Sequence, residues 1–142
     1  HHLLSELLPS KLLSLLVSEA TPVVPQKITA RSRALARATD YIEAHAHTTL
    51  DLGQLPAESC ISPRSLQRAF TEHYQMTPRD YLRTVRLNRA RRELEAASRG
   101  VSILEIAQRC GFTHQGKFSA SYRQQFGELP SQTVGRPTAC HL

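Results

Sequence analysis

The sequence predicts an all-α fold, and three observations carry that reading. Proline and glycine sit at the junctions between apolar stretches, with Pro56 the exception. Apolar residues recur three and four positions apart, the spacing of one helical face. No alternating apolar and polar run bounded by turn signals reads as a strand.

The elements follow in order. From Leu3 to Glu19 the chain is amphipathic and leucine-rich: Leu3, Leu4, Leu7, Leu8, Leu12, Leu13, Leu15 and Leu16. Pro9 divides this stretch, and Ser10 can cap its second half. Glu6, Pro9 and Lys11 interrupt it, and it is too short to span a bilayer. Two prolines and β-branched residues make Thr21–Lys27 an extended linker. The expected division is an amphipathic segment over 1–20, a linker over 21–30, a helical domain over 31–135 and a tail over 136–142. The first residues, His1-His2 in place of Met, read as the start of a fragment carrying a tag remnant.

Within the domain, a first helix is predicted from about Ser32 to His45, with Leu35, Ala38 and Ile42 on its buried face. A short helix lies around Leu52–Glu58. Ser62-Pro63 opens a third, because the hydroxyl caps free N–H groups and proline's missing N–H costs nothing at the first position. Leu66 and Phe70 form its apolar stripe. Thr77-Pro78 repeats the signal and opens a long helix to about Ala97, with Tyr81, Leu82, Val85 and Leu94 as core candidates. At roughly 1.5 Å per residue it spans about 30 Å. Ser102 caps a fifth helix containing Ile103, Ile106 and Ala107, which ends at Cys110-Gly111. A sixth runs from about His114 to Gln125, with Phe118, Tyr122 and Phe126 on one face and Thr113 as its capping candidate. Pro130 starts a short final turn, and Gly135–Leu142 reads as a loose tail.

The 142 residues are 40% hydrophobic, enough for a modest core, and carry a formal net charge of +6. That balance favours a polyanionic partner. Cys60, Cys110 and Cys140 are odd in number, widely spaced and without a CxxC pair, so they read as reduced thiols of a cytoplasmic protein. His45 and His47, two apart, do not share a helical face. No catalytic residue, metal ligand or cofactor is expected.

Two units of a short helix, a turn and a longer helix flank the long helix: Leu52–His73 and Ile103–Gln125. Such a unit binds double-stranded DNA when the first helix braces the second, whose outer face enters the major groove. With Leu66 and Phe70 inward, Arg64, Ser65, Gln67 and Arg68 face outward. With Phe118 and Tyr122 inward, His114, Gln115, Lys117 and Ser121 are available. Arginine can make paired bonds to guanine, and glutamine to adenine. Arg83 and Ser102 complete the candidate set. A polar helix face is more often simply solvated. Here, however, Arg64, Arg68, Arg79, Arg83, Arg86, Arg89, Arg91 and Arg92 lie between Pro63 and Arg92, opposed by Glu72 and Asp80 alone.

From Ala34 to about Gly135 the chain resembles the DNA-binding domain of the AraC/XylS family of transcription regulators. The matching segments are YIEAH (Tyr41–His45), SPRSLQRAF (Ser62–Phe70), TPRDYLRTVRLNRAR (Thr77–Arg91), EIAQRCGF (Glu105–Phe112) and KFSASYRQQFGELPS (Lys117–Ser131). GFTHQGKFS with FGELPS is most similar to the XylS-like branch. The resemblance implies seven helices, with two recognition helices entering successive major grooves on one face of the duplex. It also implies transcription regulation, as an activator or a repressor, with RNA polymerase as a partner. The leucine-rich segment would then be the remnant of an N-terminal sensing or dimerisation domain, through which the protein would form homodimers.

Three positions depart from the family pattern. Pro56 stands where a small helical residue is usual, and proline inside a helix removes a hydrogen bond, which predicts a short or distorted brace. Cys60-Ile61 lacks the turn glycine that Gly111 supplies in the second unit. His114 replaces the more usual acidic residue or serine. Two other classes share parts of the pattern. Alkylation-repair methyltransferases carry a related helix-turn-helix beside an activated cysteine, but Cys60 and Cys110 are expected to pack in the interior. A protein-interaction module rests on the leucine stripe alone.

Overall fold

The computed structural model describes residues 29–136, and among them the regular elements are all helical. The leucine-rich segment, nearly all of the linker and tail residues 137–142 lie outside the described residues, as do the readings made of them. Helix α1 is Ala30–His45, α2 Leu55–Ser59, α3 Pro63–Tyr74, α4 Pro78–Ala96, α5 Ile103–Arg109, α6 Gln115–Phe126 and α7 Pro130–Thr133; a 3-10 turn, Leu52–Gln54, runs into α2.

The helix starts follow from their caps. Thr29 accepts the Ser32 N–H at 3.1 Å, so α1 begins two residues before Ser32. Ser62, Thr77 and Ser102 each accept the N–H three residues on, at 3.3, 3.2 and 3.3 Å. Helix α6 departs from expectation. Its N-cap is His114 rather than Thr113, and that residue makes no side-chain capping bond.

The helices enclose two cores with no residue in common. Leu35, Ala38, Ile42, Leu66, Phe70 and Leu82 belong to the first. Leu87, Ala90, Leu94, Ile106, Phe118 and Tyr122 belong to the second. Helix α4 serves both, passing from one to the other between Leu82 and Leu87. Of its expected core residues, Leu82 and Leu94 are buried, whereas Tyr81 and Val85 pack half-buried against the first core. The Tyr81 hydroxyl donates to the Glu43 carboxylate, 2.8 Å away, which gives its polar end a partner.

The chain end is fastened rather than loose as far as Arg136. The buried Tyr122 hydroxyl donates to Thr133 at 2.7 Å, and Thr133 donates to Glu128 at 2.7 Å. Arg136 pairs with Glu128 at 2.8 Å, and the Gly135 N–H reaches the Leu94 carbonyl at 3.3 Å.

Candidate nucleic-acid interface

The two short-helix, turn, long-helix units are built alike down to the turn. In the first, Cys60 N–H bonds to Ala57 O and Ile61 N–H to Pro56 O. In the second, Gly111 N–H bonds to Gln108 O and Phe112 N–H to Ala107 O. This nested pair of bonds is the Schellman ending of a helix, and it needs a left-handed residue at its corner. Gly111 adopts that conformation at φ +95°. Cys60 adopts it at φ 56° without being glycine, a strain of about 1–2 kcal/mol. Cys60 is exposed rather than packed inside.

Pro56 does not break the brace. It occupies the second position of α2, where its absent N–H would have no partner within the helix. The 3-10 turn before it absorbs the approach, and Pro56 contributes its carbonyl to the turn. The brace is short, five residues, but regular.

Each long helix is seated by an apolar pair four apart: Leu66 with Phe70 on α3, Phe118 with Tyr122 on α6. On α3 this leaves Arg64, Gln67 and Arg68 exposed. Ser65 is half-buried, and its hydroxyl accepts from Ser62 at 2.9 Å. Arg68 is bound to Glu72 at 2.8 Å, and Glu72 in turn to Arg31 at 3.0 Å. The Arg68 hydrogen bond, with the Arg31 charge adding, holds the Glu72 carboxyl below its ordinary range. On α6, His114, Gln115 and Lys117 are exposed at the leading turn, and Ser121 is half-buried one turn on.

An open cleft of about 730 Å³ separates the units. It brings Arg83, Lys117 and Ser121 together, three residues nominated from sequence. Arg79 and Arg86 line it as well. Arg79, Arg83 and Arg86 stand at i, i+4 and i+7 on α4, so helical spacing was the available signal for Arg79. Asp51 supplies one opposing carboxylate in the lining and accepts the Gly53 N–H. Arg83 pairs with Asp80 at 2.6 Å. Arg64, Gln67 and Arg68 stand apart on the outer face of α3, and Ser102 is the cap of α5.

The run of arginines is not one surface. Arg86 donates to the Ala46 and Thr48 carbonyls at 2.7 and 2.8 Å. Arg89 donates to the Glu43 carbonyl. Arg91 pairs with Glu95 at 3.0 Å and lies over the Phe126 ring. These three hold helices together, and the sequence alone does not separate them from their exposed neighbours. Cys110 is buried, and desolvation, with Glu93 beside it, pushes its thiol up to about 11. That is the opposite of the activated thiolate alkyl transfer requires. Among the described residues no His, Cys, Asp and Glu group could hold a metal, and no helix is long and apolar enough to cross a membrane.

Two braced helices mounted on one central helix beside a basic cleft define a double helix-turn-helix DNA-binding domain. A helix-turn-helix domain family matches residues 55–136, more than half of the chain. The chain belongs to the AraC/XylS family, as a C-terminal DNA-binding domain. It is 43% identical over 100 residues to a Rhodococcus erythropolis protein named "Probable thc operon regulatory protein", covering 68% of this chain and 30% of that one. It is 36% identical over 129 residues to the XylDLEGF operon transcriptional activator of Pseudomonas putida, covering 90% and 39%. The chain thus spans about a third of the length of these relatives. Among solved structures, a probable AraC family transcriptional regulator from Rhodopseudomonas palustris CGA009 superposes with a TM-score of 0.67 at 32% identity, covering 73% of this chain and 98% of that one. The DNA-binding domain of AdpA, a global transcriptional factor solved with a target DNA, superposes with a TM-score of 0.63 at 30% identity, covering 71% and 89%.

Proposed function

We propose that this chain reads a bipartite, non-palindromic DNA site with both units at once and thereby activates transcription in a bacterial cytoplasm. The carrying observation is the repetition: two units with the same turn and the same seating, fixed at opposite ends of one helix, with a basic cleft between. Helix α4 is roughly 28 Å long, close to the separation of about 34 Å between successive major grooves. Bending the duplex by tens of degrees, at a cost of a few kcal/mol, absorbs the difference.

In this reading α3 offers Arg64, Gln67 and Arg68 to one groove, Arg68 exchanging Glu72 for DNA. Helix α6 offers His114 and Gln115 to the next. Lys117, Ser121, Arg83 and Arg79 face the backbone that crosses the cleft, and Ser65 and Ser102 stand at helix starts where phosphate is favoured. The protein acts without catalysis, through RNA polymerase as partner. Dimerisation, in this reading, belongs to a region N-terminal to the domain. Support for activation comes from the resemblance to the XylDLEGF operon activator.

The test is a spacer series on a site selected from random DNA. Inserting five base pairs between the half-contacts turns one of them to the far side of the duplex and should reduce affinity sharply. Unchanged affinity, or a footprint over one groove only, refutes simultaneous use of both units.

A further inference from the structure

We propose that Arg86 sets the angle between the two helix-turn-helix units, by tying the end of α1 to the centre of α4 at the point where the second unit's turn rests. Three observations meet there. First, the two cores share no residue, so the units are related only through α4, which packs into both, and through whatever contacts cross beside it. Second, Arg86 lies on α4 between Leu82, which is in the first core, and Leu87, which is in the second. Its Nε and Nη2 donate to the carbonyls of Ala46 and Thr48, just past the C-terminus of α1. Third, the turn glycine of the second unit is pressed onto that bond. A Cβ at Gly111 would lie 2.7 Å from the Ala46 carbonyl oxygen and 2.7 Å from Arg86 Nε.

The chemistry suits a clamp. A guanidinium offers donors in a rigid plane, so two carbonyl bonds fix direction as well as distance. Its charge meets the negative end of α1, whose last carbonyls lack partners within the helix. One turn further along α4, Arg89 holds the Glu43 carbonyl of the same helix. The end of α1 is therefore pinned to α4 at two levels. Gly111 makes the clamp common to both units, because only a residue without Cβ allows the second turn to close on it.

The consequence for DNA rests on the reading that both units bind together. The binding of the second unit is then intramolecular, and its effective concentration is highest when the connection holds it at the right place. Loosening the angle lowers that concentration and broadens the range of spacings accepted.

The experiment measures residual dipolar couplings on the DNA-free protein. The wild type should fit one alignment tensor across both units. Arg86→Ala should give two different tensors, each still fitting its own unit. Arg86→Lys, which keeps the charge but not the planar fork, should keep the first unit folded and also give two tensors. A single tensor in either variant overturns the proposal, as does a wild type that already needs two. Loss of the α1–α3 amide pattern in both variants also overturns it, since Arg86 would then be holding the first unit together. On DNA, Arg86→Ala should bind the native spacing about tenfold more weakly and lose less than the wild type on a one-base-pair insertion. If the tensors diverge as expected while the wild type is indifferent to spacing, the clamp stands and the two-headed binding fails.

Discussion

Phe118 carries the seating of the second recognition helix, and its truncation tests whether the two cores are independent. The ring is fully buried, 4.8 Å from that of Phe112 and 5.7 Å from that of Tyr122, centroid to centroid. Phe118→Ala removes that ring from a core that cannot refill the space with its neighbours' atoms. Such a truncation costs about 3–5 kcal/mol. At 1.4 kcal/mol per factor of ten, this is between about a hundredfold and a few thousandfold in the local folding equilibrium. Residue-resolved amide exchange reads it directly. Protection should fall by that factor in α5, α6 and the C-terminal half of α4. In α1–α3 it should change by less than about tenfold, because Leu66, Phe70 and Leu82 have no contact with the lost ring inside a shared core. An equal fall in both units would show a single cooperative core and refute the division. A separate consequence follows for binding: the variant should lose preference at the half-site read by α6 and keep it at the other.

Three further outcomes are expected. Gln115→Ala should cost about 1–3 kcal/mol on the selected site and relax preference at one base pair, measured by competition against single-position variants; equal loss on random DNA would contradict base reading. Thr133→Val should leave the buried Tyr122 hydroxyl without its 2.7 Å partner and cost about 1–3 kcal/mol in urea denaturation, and Tyr122→Phe should recover part of that loss when combined with it; strict additivity would mean that the two do not interact. Glu128 is held below its ordinary value of 4.5 mainly by the Thr133 hydrogen bond, with Arg136 beside it. Because the folded value is the lower one, its contribution is complete above about 4.5 and disappears as pH falls through the folded value. Glu128→Gln should therefore lower the melting temperature at neutral pH, with the gap from wild type closing in acid. A gap constant with pH would mean that the carboxylate's charge contributes nothing.

Much of the local structure was legible in the sequence. Ser62-Pro63, Thr77-Pro78 and Ser102 mark helix starts to the residue, because capping is a matter of three or four consecutive positions. Leu66 with Phe70, and Phe118 with Tyr122, mark the inner faces because helical spacing puts residues four apart together. The outward residues Arg64, Gln67, Arg68, Gln115 and Lys117 follow by elimination. The expectation at Pro56 held for the length of the brace, which is short, and not for a distortion, because proline's effect depends on where a helix begins. The preceding 3-10 turn moves that start to Leu55, a shift no local signal announces.

The roles of the arginines were decided by tertiary structure. Arg83, Arg86 and Arg89 look alike along the chain, yet Arg83 lines the cleft, while Arg86, which borders it too, and Arg89 hold the end of α1, some forty residues away. Cys60 and Gly111 take the same corner conformation, but Cys60 is exposed, whereas Gly111 is pressed against Ala46 and Arg86. Sequence alone therefore determined which faces are apolar, where the three helices capped by Ser62, Thr77 and Ser102 start and which side chains can reach a partner, since those depend on neighbours within a turn of helix. Which charges stay available, and how the two units are held relative to each other, depends on backbone carbonyls brought up from a distant helix. A carbonyl is present at every residue, so no residue type signals in advance which of them will be the acceptor.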